Sequence, residues 1–177
     1  MKLVENNWNY AEPGILFWDN IKKYHLLSED KEFKHDGVNP CAEEPLPAGG
    51  SCLLGSINLS EFVVEPFTKE AIFDMEKFNA CVQDCILGLN EVLDEGLSLH
   101  PLKQQQESVS KYRQIGLGVM GIADMLIKLN MRYGSSESIE LCDKISKHML
   151  NSAVKKSALI AKERGAFEKY NKEALLK

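Results

Sequence analysis

An amide, a thiol and a carboxylate occupy alternate positions in Asn39-Pro40-Cys41-Ala42-Glu43. A second thiol, Cys52, follows after Pro45, Pro47, Gly49 and Gly50. In an extended segment side chains at i, i+2 and i+4 share one face, so Asn39, Cys41 and Glu43 could meet one small ligand. Glu44 would fall on the opposite face. Pro40 fixes its own φ and biases Asn39 toward extended geometry. Pro45 and Pro47 carry that stiffness onward, and the stretch reads as a rigid, presented loop. The residues alone leave a second reading open for Cys41 and Cys52, as a plain pair of thiols or a disulfide.

Flanking elements must hold this loop. Glu12-Pro13-Gly14 is a turn signal opening a helix through Tyr24, followed by a polar stretch from Ser28 to Gly37. Residues 51–59, with Gly55 inside them, read as a short strand beginning at Cys52. There Ser56 and Asn58 either line a site or satisfy backbone groups. Thr68 offers a cap, and Ile72, Met75, Phe78, Val82, Cys85, Leu89 and Val92 form the stripe of an amphipathic helix to about Glu95. Residues 122–130 form another helix, and Ser135 or Ser136 caps a long one running to about Arg164. His148 lies beside that last stripe, as a surface or satisfied core histidine. The tail from Glu168 to Lys177 is charged and predicts marginal order.

Gly116, Gly118 and Gly121 fit the spacing G-x-G-x-x-G. A dinucleotide fingerprint places such glycines between a strand and a helix. Here they interleave Ile115, Leu117 and Val119, inside the apolar run itself. A strand with glycines where neighbours crowd is the better reading. Asp124 then caps or pairs locally at the next helix.

The chain has 177 residues, 44% of them hydrophobic, enough for one domain with a real core. The expected organisation is a single partial domain, 1–177. It comprises a lead-in helix and loop (1–36), the loop and strand (37–59), a helix (68–95), a strand (112–121) and further helices (122–167). A net charge of −5 argues against a phosphate-backbone binder. The N-terminus lacks a signal-peptide run and no stretch approaches the ~18 apolar residues of a membrane span, so a soluble cytoplasmic protein is expected. Five cysteines without an export signal suggest free or redox-active thiols. Their spacings miss the zinc pattern. Cys81 and Cys85 share a helical face as core thiols.

Asn39-Pro-Cys-Ala-Glu-Glu-Pro-Leu46 with Cys52-Leu-Leu-Gly-Ser-Ile-Asn-Leu59 resembles the active-site finger loop of ribonucleotide reductase catalytic subunits. Glu12-Pro-Gly-Ile-Leu-Phe17, Arg113-Gln-Ile-Gly-Leu-Gly-Val-Met-Gly-Ile-Ala-Asp124 and Gly165-Ala-Phe167 agree with it, in the family's order. The short spacing to Cys52 is similar to the adenosylcobalamin-dependent class II branch. Class I large subunits usually place that cysteine further on and lack the proline after Asn.

The resemblance implies a helix-rich α/β fold: part of a ten-stranded α/β barrel with the finger inserted through its centre. It also implies that the chain is an internal piece of a longer polypeptide, inactive alone and with strand edges that favour self-association. By the same resemblance Cys41 becomes the thiyl radical that takes the 3′-hydrogen of a ribonucleotide. Glu43 accepts the 3′-hydroxyl proton, Asn39 hydrogen-bonds the ribose hydroxyls, and Cys52 is one of two reductant thiols. Adenosylcobalamin, a dithiol or thioredoxin-like reductant, nucleotide effectors and a homodimer are implied for the intact enzyme, with no nucleic acid polymer, metal or membrane. The rival readings are a class I large subunit fed by a separate radical-generating subunit and a non-catalytic helical domain for binding or regulation. A glycyl-radical enzyme ranks below both, because no glycyl-radical motif is visible.

Overall fold

The structure, a computed structural model, describes residues 2–175. Met1, Leu176 and Lys177, the last two being the end of the charged tail, lie outside the described residues. The chain forms two compact units. One runs to Ala48 and takes in the residues from Asn171, and the other is Gly49–Tyr170.

The first unit begins with helix α1 (Lys2–Tyr10), which buries none of its residues. Helix α2 (Trp18–Tyr24) follows. Its Asp19 in the first turn and Lys22 and Lys23 in the last match the helix dipole at both ends. The helix therefore starts after Phe17 and not at the Glu12-Pro13-Gly14 turn. Strands β1 (His35–Val38) and β2 (Pro45–Pro47) pair antiparallel, with Val38 opposite Pro45, Gly37 opposite Leu46 and His35 opposite Pro47. Leu27, Phe33 and Pro47 are buried in this unit. Helix α7 (Lys172–Leu175) closes the described chain.

In the second unit β3 (Leu53–Asn58) and β6 (Ile115–Met120) pair in parallel, from Leu53 opposite Ile115 to Asn58 opposite Met120. The first strand starts one residue after Cys52. The second is shorter than the expected 112–121, because Tyr112 still belongs to the preceding helix and Arg113 turns left-handed before Ile115. Parallel strands need a covering crossover. Helix α3 (Met75–Gly96) supplies it, bringing Leu89 against Gly55. A β-carbon on Gly55 would stand 3.3 Å from Leu117 Cδ1 and 3.7 Å from Leu89 Cδ1, so the small residue lets helix and strands close up.

Helix α3 starts later than Thr68. Thr68 instead closes a turn, its hydroxyl donating to Glu65 O and accepting from Glu70 N. Ile72 and Phe73 are diverted into β5, which pairs with β4 (Val63–Val64). Asp74, whose carboxylate accepts from Lys77 N at 2.9 Å, is the cap. Helix α4 (Lys103–Tyr112) absorbs the Gln104–Gln106 run, and α5 (Ile122–Lys128) follows β6. Helix α6 (Ser136–Arg164) is capped by Ser135, as expected.

The core joins α3, α5, α6 and the strands. Phe78, Val82 and Met125 are wholly buried there, alongside Ile57, Leu59 and Ile145. Each such side chain contributes about 1.5–3 kcal/mol. Phe62, Phe73 and Phe78 meet edge-on or tilted, 5.4–5.9 Å apart. Across α3 and α6, Asn79 bonds His148 Nδ1 and accepts from the Ser152 hydroxyl, so His148 is a half-buried, satisfied histidine.

Candidate active site

Residues 39–44 form the tip of the β1–β2 hairpin, and the tip is a turn. Ala42 N donates to Asn39 O at 2.9 Å, and Asn39 N donates to Glu44 O at 3.2 Å. The Asn39 side chain then accepts from Glu44 N at 3.0 Å, stapling the loop from inside. Ala42 takes a left-handed φ of 67°. The extended alternation expected for Asn39, Cys41 and Glu43 therefore does not hold. Proline at the second turn position and asparagine at the first favour a tight reversal. The three residues are still gathered on one short tip, where Cys41 and Glu43 are exposed and Asn39 is half-buried. Asn39 Oδ1 is used by the turn, which leaves the Nδ2 donors for a ligand.

At the hairpin's base lies a ring cluster that the spacing of the sequence does not announce. His25 stacks on Phe33 with centroids 4.9 Å apart and meets His35 edge-on at 4.5 Å. Trp18 packs edge-on against His35. Burial pushes His25 down to about 4, helped by the charge His35 would carry, and its Nδ1 accepts from Leu27 N. His35 is also lowered, first by burial and then by Lys22. Its Nε2 is buried without a partner among the described residues. Both imidazoles are thus biased toward the neutral form at the start of the strand that enters the finger.

Cys52 lies in the second unit, half-buried and directly ahead of β3. Gly49, with φ +72°, is pressed on α4 so closely that a β-carbon would stand 2.8 Å from Gln104 O. That fixes the approach to Cys52. Gly55 and Leu117 face α3, so Leu54, Ser56, Gly116, Gly118 and Met120 occupy the other, open face, where all but the buried Gly116 are exposed. Continued one residue back, the alternation places Cys52 on that open face too. Asn58 is committed to structure, accepting from Ser60 N. A β-carbon on Gly121, whose φ is +72°, would collide with its Oδ1. These glycines sit inside a strand or beside an amide, and they form no phosphate cradle. Asp124 is exposed in the first turn of α5, whose N-cap Gly121 provides no side-chain bond.

Two arginines fasten the elements behind β6. Arg113 pairs with Asp94 at 2.5 Å, and Arg164 pairs with Glu91 and with Asp94. The Arg113 guanidinium holds the Asp94 carboxyl below its ordinary range. The two sequence stretches around Arg113 and Gly165–Phe167 thereby come together, lining a cavity of about 110 Å³ with Ile115 and Ile160. Two of the remaining thiols pack against the core. Cys81 and Cys85 are half-buried against the core, and burial, with Cys81 beside it, pushes the Cys85 thiol up to about 11. A thiol raised in this way, as at Cys85, is a poor nucleophile.

The family described as "Ribonucleotide reductase, barrel domain" matches residues 1–177. The chain belongs to that family. The vitamin B12-dependent ribonucleoside-diphosphate reductase of Thermoplasma acidophilum is 35% identical over 93% of this chain and 20% of its own length. The ribonucleoside-diphosphate reductase subunit alpha of Chlamydia pneumoniae is 36% identical over 96% of this chain and 16% of its own. The chain thus spans about a fifth or less of these relatives. The class Id ribonucleotide reductase alpha subunit of Actinobacillus ureae has the same fold, with a TM-score of 0.79 at 24% identity over 94% of this chain and 32% of that one. The helix-rich α/β segment of a reductase barrel expected from the sequence is therefore what the chain forms. Among the described residues no helix is long and apolar enough to cross a membrane.

Proposed function

We propose that this segment supplies the radical-bearing finger and one reductant thiol of an adenosylcobalamin-dependent ribonucleotide reductase. The carrying observation is the Cys41 thiol exposed at the tip of a side-chain-stapled hairpin that also bears Asn39 and Glu43. The vitamin B12-dependent relatives support the cobalamin branch over a class I subunit.

Adenosylcobalamin, when bound, supplies the radical that converts a thiol to a thiyl. What it needs from this chain is a thiol that can be approached from outside the loop, and Cys41 meets that need. No described residue is assigned to holding the corrin. As a thiyl, Cys41 takes the 3′-hydrogen of the ribose and gives it back to C3′ once the 2′-carbon has been reduced, which restores the thiyl. Glu43 accepts the 3′-hydroxyl proton, for which it must come within hydrogen-bond reach. Asn39 Nδ2 donates to a ribose hydroxyl while Oδ1 keeps the turn closed. Cys52 gives its proton to the departing 2′-hydroxyl, which leaves as water. The two electrons come from Cys52 and a second thiol, joined afterwards as a disulfide. In the family it resembles, the second thiol lies well upstream of the finger. Cys41 and Cys52 are the only cysteines before Cys81 in this chain, so the partner thiol belongs elsewhere in the intact enzyme. A thioredoxin-like dithiol as final reductant, nucleotide effectors, a homodimer and a cytoplasmic location complete the reading.

The deciding experiment follows ribonucleotide reduction by the full-length polypeptide, anaerobically with a dithiol, with and without adenosylcobalamin. A Cys41→Ala variant runs alongside. Turnover that needs the cofactor and disappears in the variant supports the reading. Turnover that instead requires a second protein subunit reassigns the class, and turnover surviving in Cys41→Ala removes the mechanism.

A further inference from the structure

The stretch Arg113-Gln114-Ile115 enters β6 in an unusual way. Arg113 ends α4 in the left-handed region, with φ 47° and ψ 44°. A non-glycine residue holds that conformation only where its surroundings enforce it. Here the Arg113 N–H is bonded to Val109 O, while its guanidinium grips Asp94 and reaches Asn90 Oδ1 at 3.4 Å. The backbone is therefore clamped one residue before Gln114.

Leu53 lies opposite Ile115 in the parallel ladder. Carried back by one residue, that register sets Gln114 beside Cys52, at the ~4.8 Å spacing of neighbouring strands. Both stand three residues from the positions that face α3, Gly55 and Leu117, so by alternation both belong to the open face. Both are half-buried. The geometry points to Gln114 as a positioning residue for Cys52, its neutral amide hydrogen-bonding the sulfur and aiming it across the open face.

An amide suits this place. Its carbonyl accepts from the thiol and its N–H groups donate to the sulfur once the proton has gone, so it orients both forms without adding charge. A carboxylate there would oppose a thiolate and raise the thiol's affinity for its proton. The consequence for turnover rests on the function proposed for Cys52. The adjacency itself does not.

The test uses the full-length polypeptide and peptide-resolved alkylation of Cys52 as a function of pH. In Gln114→Glu the Cys52 profile should move up by about one pH unit, with Cys41 unmoved. In Gln114→Met, similar in volume but lacking both hydrogen-bonding groups, kcat for ribonucleotide reduction should fall roughly tenfold at unchanged KM. A Cys52 profile unmoved in Gln114→Glu, at unchanged Tm, overturns the inference. So does an unmoved kcat in Gln114→Met. If Cys41→Ala retains turnover the proposed function fails, and the alkylation profile still decides whether Gln114 attends Cys52.

Discussion

Asn39 Oδ1 accepts the Glu44 amide at 3.0 Å, so the side chain read as a substrate ligand is also the staple of its own loop. The two nitrogen-bound hydrogens of the same amide face no such demand. Under the proposed function the structural and ligand-binding duties fall on two different atoms of one side chain, and substitutions can separate them.

Asn39→Ala should lower stability by about 1 kcal/mol, the worth of one hydrogen bond, and also cut turnover of the full-length enzyme. Asn39→Asp keeps an acceptor for Glu44 N but loses the donors. Urea unfolding should find it near the parent in stability while turnover stays low. Equal loss of stability in both variants would mean that the staple does not carry the loop.

The histidine pair gives the first unit a pH dependence of fixed sign. His25 titrates at about 4 when folded against 6.5 when exposed, so the folded form binds fewer protons between those values. Its contribution is complete above 6.5 and is lost as pH falls toward 4. His35, lowered by burial and by Lys22, acts in the same direction. Thermal melts from pH 4 to pH 8 should show Tm falling on the acid side, and His25→Phe, which keeps the ring stack, should flatten that fall. An unchanged slope would assign the dependence to other groups.

Glycines of the β6 region should differ sharply. Gly121→Ala combines a left-handed φ with a clash on Asn58 Oδ1 and should cost about 2 kcal/mol. Gly118→Ala meets nothing nearer than 3.9 Å and should stay within about 0.5 kcal/mol of the parent. Comparable losses in chemical denaturation would contradict the crowding described at Gly121.

Thiol reactivity should rank by environment. At pH 8, iodoacetamide should modify exposed Cys41 first and Cys85, whose thiol lies near 11, last. Mass spectrometry of timed samples reads the order directly, and early labelling of Cys85 would show that α3 opens readily.

Strand β6 is legible in the sequence because glycine alternates with apolar residues over a short run, and β3 because a short, largely apolar run is bounded by Gly49-Gly50 and Ser60. The long helix after Ser135 is legible from its cap and its stripe. The start of α3 is not, since Thr68 and Asp74 are both competent caps and Ile72 fits a helical stripe as well as a strand. The finger's residue types are legible, but its conformation is not: the bond from Glu44 N to Asn39 Oδ1 leaves no periodic trace. The ring cluster is harder still. It needs Trp18, His25, Phe33 and His35 brought together by a turn whose course no pattern specifies. Arg113 stands within a recognisable stretch, yet its partner Asp94 becomes visible only once α3 lies beside the entry to β6.

Strand β2 reads Pro45-Leu46-Pro47, and prolines have no N–H to offer. Leu46 alone on that strand can donate, so another extended segment would find almost no ladder to join. The finger is thereby closed to further pairing on its β2 side, while β1, which contains no proline, keeps an ordinary edge. Two imino acids thus make the hairpin one-sided: a neighbouring strand could register along only one of its flanks.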